Sequence, residues 1–187
     1  MDMLTRRGIL WSLLLTGLLA LPGHSQDVAT KLAPALEARP AAPALEVRFS
    51  PRGGCTEAIV REIAAARREV LVQAYSFTSP AIAQALVQAH HRGIDVRVIC
   101  DRGQRTARNS EAARCRDAGI EVLFDAKHAI AHNKIMIFDS RTVVTGSFNF
   151  TRAAEDSNAE NLLILRDRDM ARLYRDNWLH HAGHSER

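Results

Sequence analysis

With 187 residues, 47% of them hydrophobic and 25% charged, the chain has the composition of one globular domain, which excludes a disordered or collagen-like protein. Its formal net charge of +4 is carried by arginine, since Lys31, Lys127 and Lys134 are the only lysines. Such a balance suits a polyanionic partner, nucleic acid or an anionic membrane.

Thr5-Arg6-Arg7 precedes an apolar run from Ile9 to Leu21 and a small-residue exit at Gly23-His24-Ser25, the layout of a signal peptide over residues 1–25. The run falls short of the ~20 apolar residues of a comfortable membrane span. The expectation is therefore an exported protein, periplasmic or secreted, with an uncleaved membrane anchor as the alternative. Thr5-Arg6-Arg7-Gly8-Ile9-Leu10 also resembles a twin-arginine export signal. Residues 26–46, with Pro34, Pro40 and Pro43, read as an Ala/Pro-rich tether, which leaves 47–187 as the folded domain. Cys55, Cys100 and Cys115 are an odd number, allow at most one internal bridge and fit no zinc spacing, so no structural metal is expected.

Beyond the tether, apolar runs alternate with helical patterns as in an α/β fold with a mixed, mostly parallel sheet and helices on both faces. Val47 to Phe49 reads as a short strand, and Thr56 to Arg67 as a helix with Ile59, Val60 and Ile63 inward. Glu69 to Ala74 is a buried strand. Ser79 caps the next helix, Pro80 opens it, Ile82, Leu86 and Ala89 form its apolar stripe, and Gly93 stops it. Asp95 to Cys100 is a strand followed by the loop Asp101-Arg102-Gly103-Gln104-Arg105, then a helix over about Ser110 to Ala118 and a strand over Ile120 to Phe124. Ala131 to Asp139 and Thr142 to Ser147 read as a hairpin closed by Ser140-Arg141. Glu160 to Leu165 is a last strand, and Asp169 to His181 a helix carrying Met170, Leu173, Tyr174 and Trp178.

The chemistry concentrates in the hairpin. Strand residues two apart share a face, so His132 and Lys134 project together. With Asp139 paired to Thr142, Lys134 should lie opposite Ser147, and His132 opposite Asn149. A nucleophile, a fixed cation, a hydroxyl and an amide would then converge, which is what phosphoryl transfer needs when no metal neutralises the developing charge. Asp139, an odd number of residues from His132, faces away and takes a structural or orienting role. Glu160 opens the next strand, where it could accept a hydrogen bond from Nδ1 of His132 and leave Nε2 free to attack.

His132-x-Lys134-x4-Asp139, followed by Gly146-Ser147-x-Asn149, resembles the HKD signature of the phospholipase D superfamily. Ala74-Tyr75-Ser76-Phe77-Thr78, Arg92-Gly93-Ile94-Asp95-Val96 and Gly146-Ser147-Phe148-Asn149-Phe150-Thr151 extend the resemblance to its short secreted bacterial endonucleases, and the chain is also similar to the mitochondrial cardiolipin hydrolases. The resemblance implies a metal-independent phosphodiesterase without a cofactor. His132 would form a phosphohistidine, His132 of the partner subunit would protonate the leaving oxygen, and Lys134, Asn149 and Ser147 would hold the phosphate. It also implies that Glu160 orients the nucleophile. One motif supplies one histidine, whereas in-line displacement wants a nucleophile and an acid on opposite sides of phosphorus, so a homodimer sharing one site is expected.

The preferred substrate is nucleic acid cut without sequence preference. Arg102, Arg105 and Arg108 on one loop, and Lys127 and His128 on another, are candidate phosphate contacts. The alternative is a phospholipase D-type hydrolase of cardiolipin or other phospholipids, held at a membrane by an uncleaved N-terminal segment. His180, His181 and His184 sit in a polar terminal tail and read as adventitious rather than as metal ligands.

Overall fold

The computed structural model describes residues 44–187; the expected signal peptide and most of the expected tether lie outside the described residues. Strands β1 (Ala44–Ser50), β2 (Glu69–Ala74), β3 (Asp95–Asp101), β4 (Glu121–Asp125), β5 (Lys134–Phe138), β6 (Thr142–Gly146) and β7 (Glu160–Arg166) form one sheet. Their order across it is β1-β7-β6-β5-β2-β3-β4. The helices are α1 (Cys55–Ala65), α2 (Pro80–His91), α3 (Ala112–Asp117), α4 (Arg152–Asp156) and α5 (Arg168–Ala182), with a 3-10 turn over Arg102–Arg105. β1 begins three residues before the expected Val47, so residues 44–46 pair with β7 instead of belonging to the tether.

The α/β character and the helices on both faces agree with expectation, but the strand directions need a correction. Only β2–β3 and β3–β4 are parallel, whereas β1–β7, β7–β6, β6–β5 and β5–β2 are antiparallel. A parallel pair needs a crossover, and only α2 and α3 supply one between sheet neighbours. α2 forms as its sequence dictates: the Ser79 side chain accepts from the Ile82 amide, Pro80 occupies the first turn, and Gly93 leaves the helix at φ 85°.

The period-two alternation of the strands sorts two cores. Val70, Val72, Val98, Cys100, Met136 and Val144 pack with the buried stripes of α1, α2 and α3. Leu71, Ile99, Leu123, Ile135, Ile137 and Val143 face α5 through Ala171 and Trp178. The Trp178 indole donates to the Val72 carbonyl at 2.9 Å, and Arg175 pairs with Glu69 at 3.2 Å, which fixes α5 across the sheet. At the β1 end of that face the sheet is bare. Leu45 pairs with Leu165 and Val47 with Leu163, leaving Leu45, Val47 and Phe49 exposed, Phe49 at 67%.

The hairpin register also differs from expectation. Ile135 pairs with Thr145 and Phe138 with Thr142, so Asp139 belongs to a three-residue turn and the pairing slips by one. Asp139 and Ser140 both adopt φ 53°, and the Asp139 carboxylate accepts amides of Arg67 at 3.0 Å, Arg68 at 2.8 Å and Glu69 at 3.1 Å. The carboxylate thus closes the start of β2 instead of continuing β5. Asp139→Ala is expected to cost about 2–3 kcal/mol in urea denaturation, through three amides left without their charged acceptor. Turnover per folded molecule should stay within about twofold, because the removed bonds lie at the far end of β5.

Candidate active site

Two aspartates at the ends of adjacent strands aim the loop that carries His132. Asp101 and Asp125 are register partners on β3 and β4. Asp101 accepts the Gly103 amide at 2.8 Å through one carboxylate oxygen and the Ala131 amide at 2.9 Å through the other. Asp125 accepts the amides of Lys127 at 3.1 Å and His128 at 3.3 Å. The segment 126–131 is therefore held at both ends, and the chain passes through His132 and Asn133 into β5, where the Asn133 carbonyl accepts the Tyr75 amide at 2.9 Å.

His132 is exposed and Lys134 is 7% exposed, yet both meet the ring of Tyr75. The imidazole centroid lies 4.4 Å from the phenol ring, and the Lys134 Nζ lies 4.9 Å from it. Lys134 pairs with Ala74 across the antiparallel β5 and β2, so the residue after Ala74 is the natural neighbour of the residues before Lys134. Lys134 Nζ donates to the His132 carbonyl at 2.7 Å. Burial pushes its ammonium below the ordinary lysine range, and the negative charge of Glu160 opposes that shift. A buried cation whose recorded hydrogen bond is to a neutral carbonyl offers its remaining donors to an anion.

Ser147 and Asn149 reach the surface for a different reason from cross-strand pairing. β6 ends at Gly146, whose φ of 147° turns the chain; a Cβ there would sit 2.2 Å from the Asn161 carbonyl oxygen. Phe148 and Phe150 then bury completely, with Thr78 and Ser79 donating to the Phe150 carbonyl, so the alternating side chains lie away from the core, Ser147 exposed and Asn149 half-buried. Ser147 accepts the Asn161 amide at 3.0 Å through Oγ and donates its own amide to the Asn161 carbonyl at 3.1 Å. The Asn149 Oδ1 is buried and has no partner among the described residues. Glu160, beside Asn161, accepts from Asn158 Nδ2 at 3.0 Å and acts on the motif electrostatically, through Lys134.

The structure thus joins His132 and Lys134 directly, places Ser147 beside Asn161 and Glu160, and sets Asp139 at the far end of β5. Of the candidate phosphate contacts, Arg102 and Arg105 are exposed in the 3-10 turn, Arg105 lying 4.7 Å over the Phe124 ring and 3.7 Å from Glu186. Lys127 is exposed. His128 instead turns its Nδ1 onto Asp125 at 2.9 Å. Arg108 lines a cleft of about 740 Å³ with Thr78, Ser110, Arg114 and Arg152. Sequence reasoning assigned no role to Tyr75, Asp101 or Asp125; the available signal was that β3 and β4 both end in aspartate, just before the loops that border the motif. The three cysteines are buried free thiols, and burial pushes Cys55 up to about 11 and Cys115 up to about 12, far from a nucleophile's range.

A family model described as "Cardiolipin synthase, PLD-like domain" matches residues 59–181, more than half of the chain. The chain is 42% identical over 131 residues to a phospholipase D of Rickettsia felis, a stretch covering 70% of this chain and 66% of the relative. It is 35% identical over 116 residues to the human mitochondrial cardiolipin hydrolase, covering 62% of this chain and 46% of that protein. The chain therefore spans just under two thirds of the Rickettsia relative and about half of the human one. Among solved structures, the phospholipase D family member Nuc from Salmonella typhimurium superposes with a TM-score of 0.74 at 36% identity, covering 78% of this chain and 97% of that one. NucT from Helicobacter pylori, with a TM-score of 0.72 at 22% identity, shares the fold. A histidine and a buried lysine two residues apart at the head of a central strand, on this sheet and under this family model, place the chain in the phospholipase D superfamily.

Proposed function

We propose that the protein is a metal-independent phosphodiesterase that hydrolyses nucleic acid without sequence preference through a phosphohistidine. The observation that carries this reading is the buried Lys134 ammonium beside the exposed His132 imidazole, a preformed anion seat next to a nucleophile. A phosphodiester seated on Lys134, Ser147 and Asn149 presents phosphorus to Nε2 of His132. The N–P bond forms as the P–O bond breaks, and His132 of the partner subunit gives its proton to the leaving oxygen. That histidine then takes a proton from water, which attacks phosphorus and releases His132. Glu160 balances the charge on Lys134.

Two observations support the shared site. Each chain contributes one such histidine, and the bare stripe of Leu45, Val47 and Phe49 ends where Phe49 pairs with Asn161 and Ser50 with Glu160. A two-fold partner covering that stripe would bury apolar surface beside the motif. The nucleic-acid reading rests on arginine: Arg108, Arg114 and Arg152 line a cleft next to the Thr78–Phe150 contact, Arg102 and Arg105 stand exposed just before Arg108, and Lys127 is exposed in the loop before His132. Such residues track phosphates and read no bases. Export through the N-terminal segment belongs to the same reading.

A phospholipid substrate is the second reading, favoured by the names of the relatives, a phospholipase D and a mitochondrial cardiolipin hydrolase. Purified protein offered plasmid DNA, RNA and cardiolipin vesicles in parallel, without added divalent cation, separates the two. We expect cleavage of nucleic acid, with binding that weakens steeply between 50 and 200 mM salt, roughly tenfold or more. Hydrolysis confined to cardiolipin would replace the nuclease reading.

A further inference from the structure

We propose that Asp125, His128, His181 and His184 form a zinc site that clasps the end of α5 to the loop carrying His132. Three imidazole nitrogens gather around one carboxylate oxygen, Asp125 Oδ2: His128 Nδ1 at 2.9 Å, His181 Nδ1 at 2.9 Å and His184 Nε2 at 3.4 Å. The four ligand atoms all lie within 4.8 Å of one another. A tetrahedral ion with bonds of ~2.0–2.1 Å needs its ligand atoms roughly 3.4 Å apart, so modest closure seats it. The rings stand in a near-equilateral triangle, with centroids 5.0, 5.3 and 5.2 Å apart.

The donor set favours zinc over the hard cations. Three imidazoles and one carboxylate are nitrogen-rich and closed at four ligands, which suits structural zinc and not magnesium or calcium, both of which require oxygen shells. Without an ion, three imidazole N–H groups would crowd one carboxylate that has no solvent exposure, His128 Nδ1 lying 3.1 Å from its second oxygen as well. A dication replaces all three protons and is neutralised in part by the carboxylate.

The surroundings hold the ligands in place, as outer-shell contacts do in metal sites. The other Asp125 oxygen accepts the amides of Lys127 and His128. Ser185 Oγ donates to the His181 carbonyl at 2.8 Å, and Glu186 exchanges two backbone hydrogen bonds with Phe124, at 2.7 and 2.9 Å. His181 lies in the last turn of α5 and His184 in the turn that follows it, while His180 is exposed and contributes no ligand atom. His128 lies four residues before His132, so the ion would fix the loop that delivers the nucleophile while taking no part in the displacement. The role is positional, and its test reads metal content and stability.

The full chain, produced without a histidine tag and equilibrated with Zn²⁺, is dialysed against metal-free buffer and assayed by elemental mass spectrometry and thermal melting. The expected result is about one zinc per chain, with a melting temperature at least ~5 °C above that of the stripped protein, restored by one equivalent of Zn²⁺ and not by Mg²⁺. His181→Ala and Asp125→Asn should each weaken Zn²⁺ binding at least ~100-fold, and His180→Ala should leave it unchanged. Should a variant fold poorly, the spectrum of Co²⁺ in the native chain decides, a tetrahedral nitrogen/oxygen shell being expected. Sub-stoichiometric zinc with no change in melting, an octahedral cobalt spectrum, or equal loss in His180→Ala would overturn the site.

Discussion

His132→Ala should lower turnover by on the order of 10⁴-fold or more while the protein stays folded and still binds nucleic acid. The imidazole is exposed, and its recorded neighbour is the Tyr75 ring, so its removal opens no core cavity. In the proposed function, binding rests on Lys134 and the exposed arginines, which the substitution leaves intact. Mixing experiments sharpen the test. If both histidines of a dimer serve one phosphorus, reassorting equal amounts of native and His132→Ala chains leaves roughly a quarter of the starting specific activity. Independent sites would leave about half.

Lys134→Met should separate activity from stability. Loss of the seated cation removes a preorganised charge aimed at the transferring phosphoryl group, worth on the order of 10²–10³-fold in kcat. Met fills similar space without an ammonium to desolvate, and the buried Lys134 has a carbonyl in place of a carboxylate as its recorded hydrogen-bond partner. We expect the substitution to raise stability by roughly 1 kcal/mol, about 2–4 °C in Tm. The pH dependence follows in sign. Burial lowers the folded-state pKa of Lys134, with Glu160 in opposition, so its destabilising effect is full below the folded pKa and fades as pH rises toward the unfolded one. The gain from Lys134→Met should therefore be largest near neutral pH and shrink in alkali. A variant that loses both activity and stability would show that the ammonium is structurally satisfied.

Which parts of this were legible in the sequence follows from the range over which each signal acts. Ser79-Pro80 and Gly93 delimit α2 because capping and positive φ are decided within one turn. Ser147-Phe148-Asn149-Phe150 alternates polar and apolar, and the buried phenylalanines do turn their neighbours outward. The hairpin register was not legible, because it depends on Asp139 being drawn into the turn by amides 70 residues upstream in the chain. α4 was missed since five residues are too few to show a helical period; only the Thr151 cap marks it. The antiparallel majority was obscured because buried strands such as β5 read as continuous apolar runs in either direction. The histidines of the terminal tail looked solvated for the same reason: Asp125 and His128, which meet them, lie more than fifty residues away, and no local pattern links the two segments.

The proposed displacement requires a covalent bond between His132 and phosphorus, and the most direct measurement is to trap it. Acid-sparing rapid quench of the native protein with a labelled phosphodiester, followed by peptide mass spectrometry, should find the phosphoryl adduct on the peptide containing His132 and none in His132→Ala. Multiple turnover with no adduct at His132, or with the label on another residue, would contradict it.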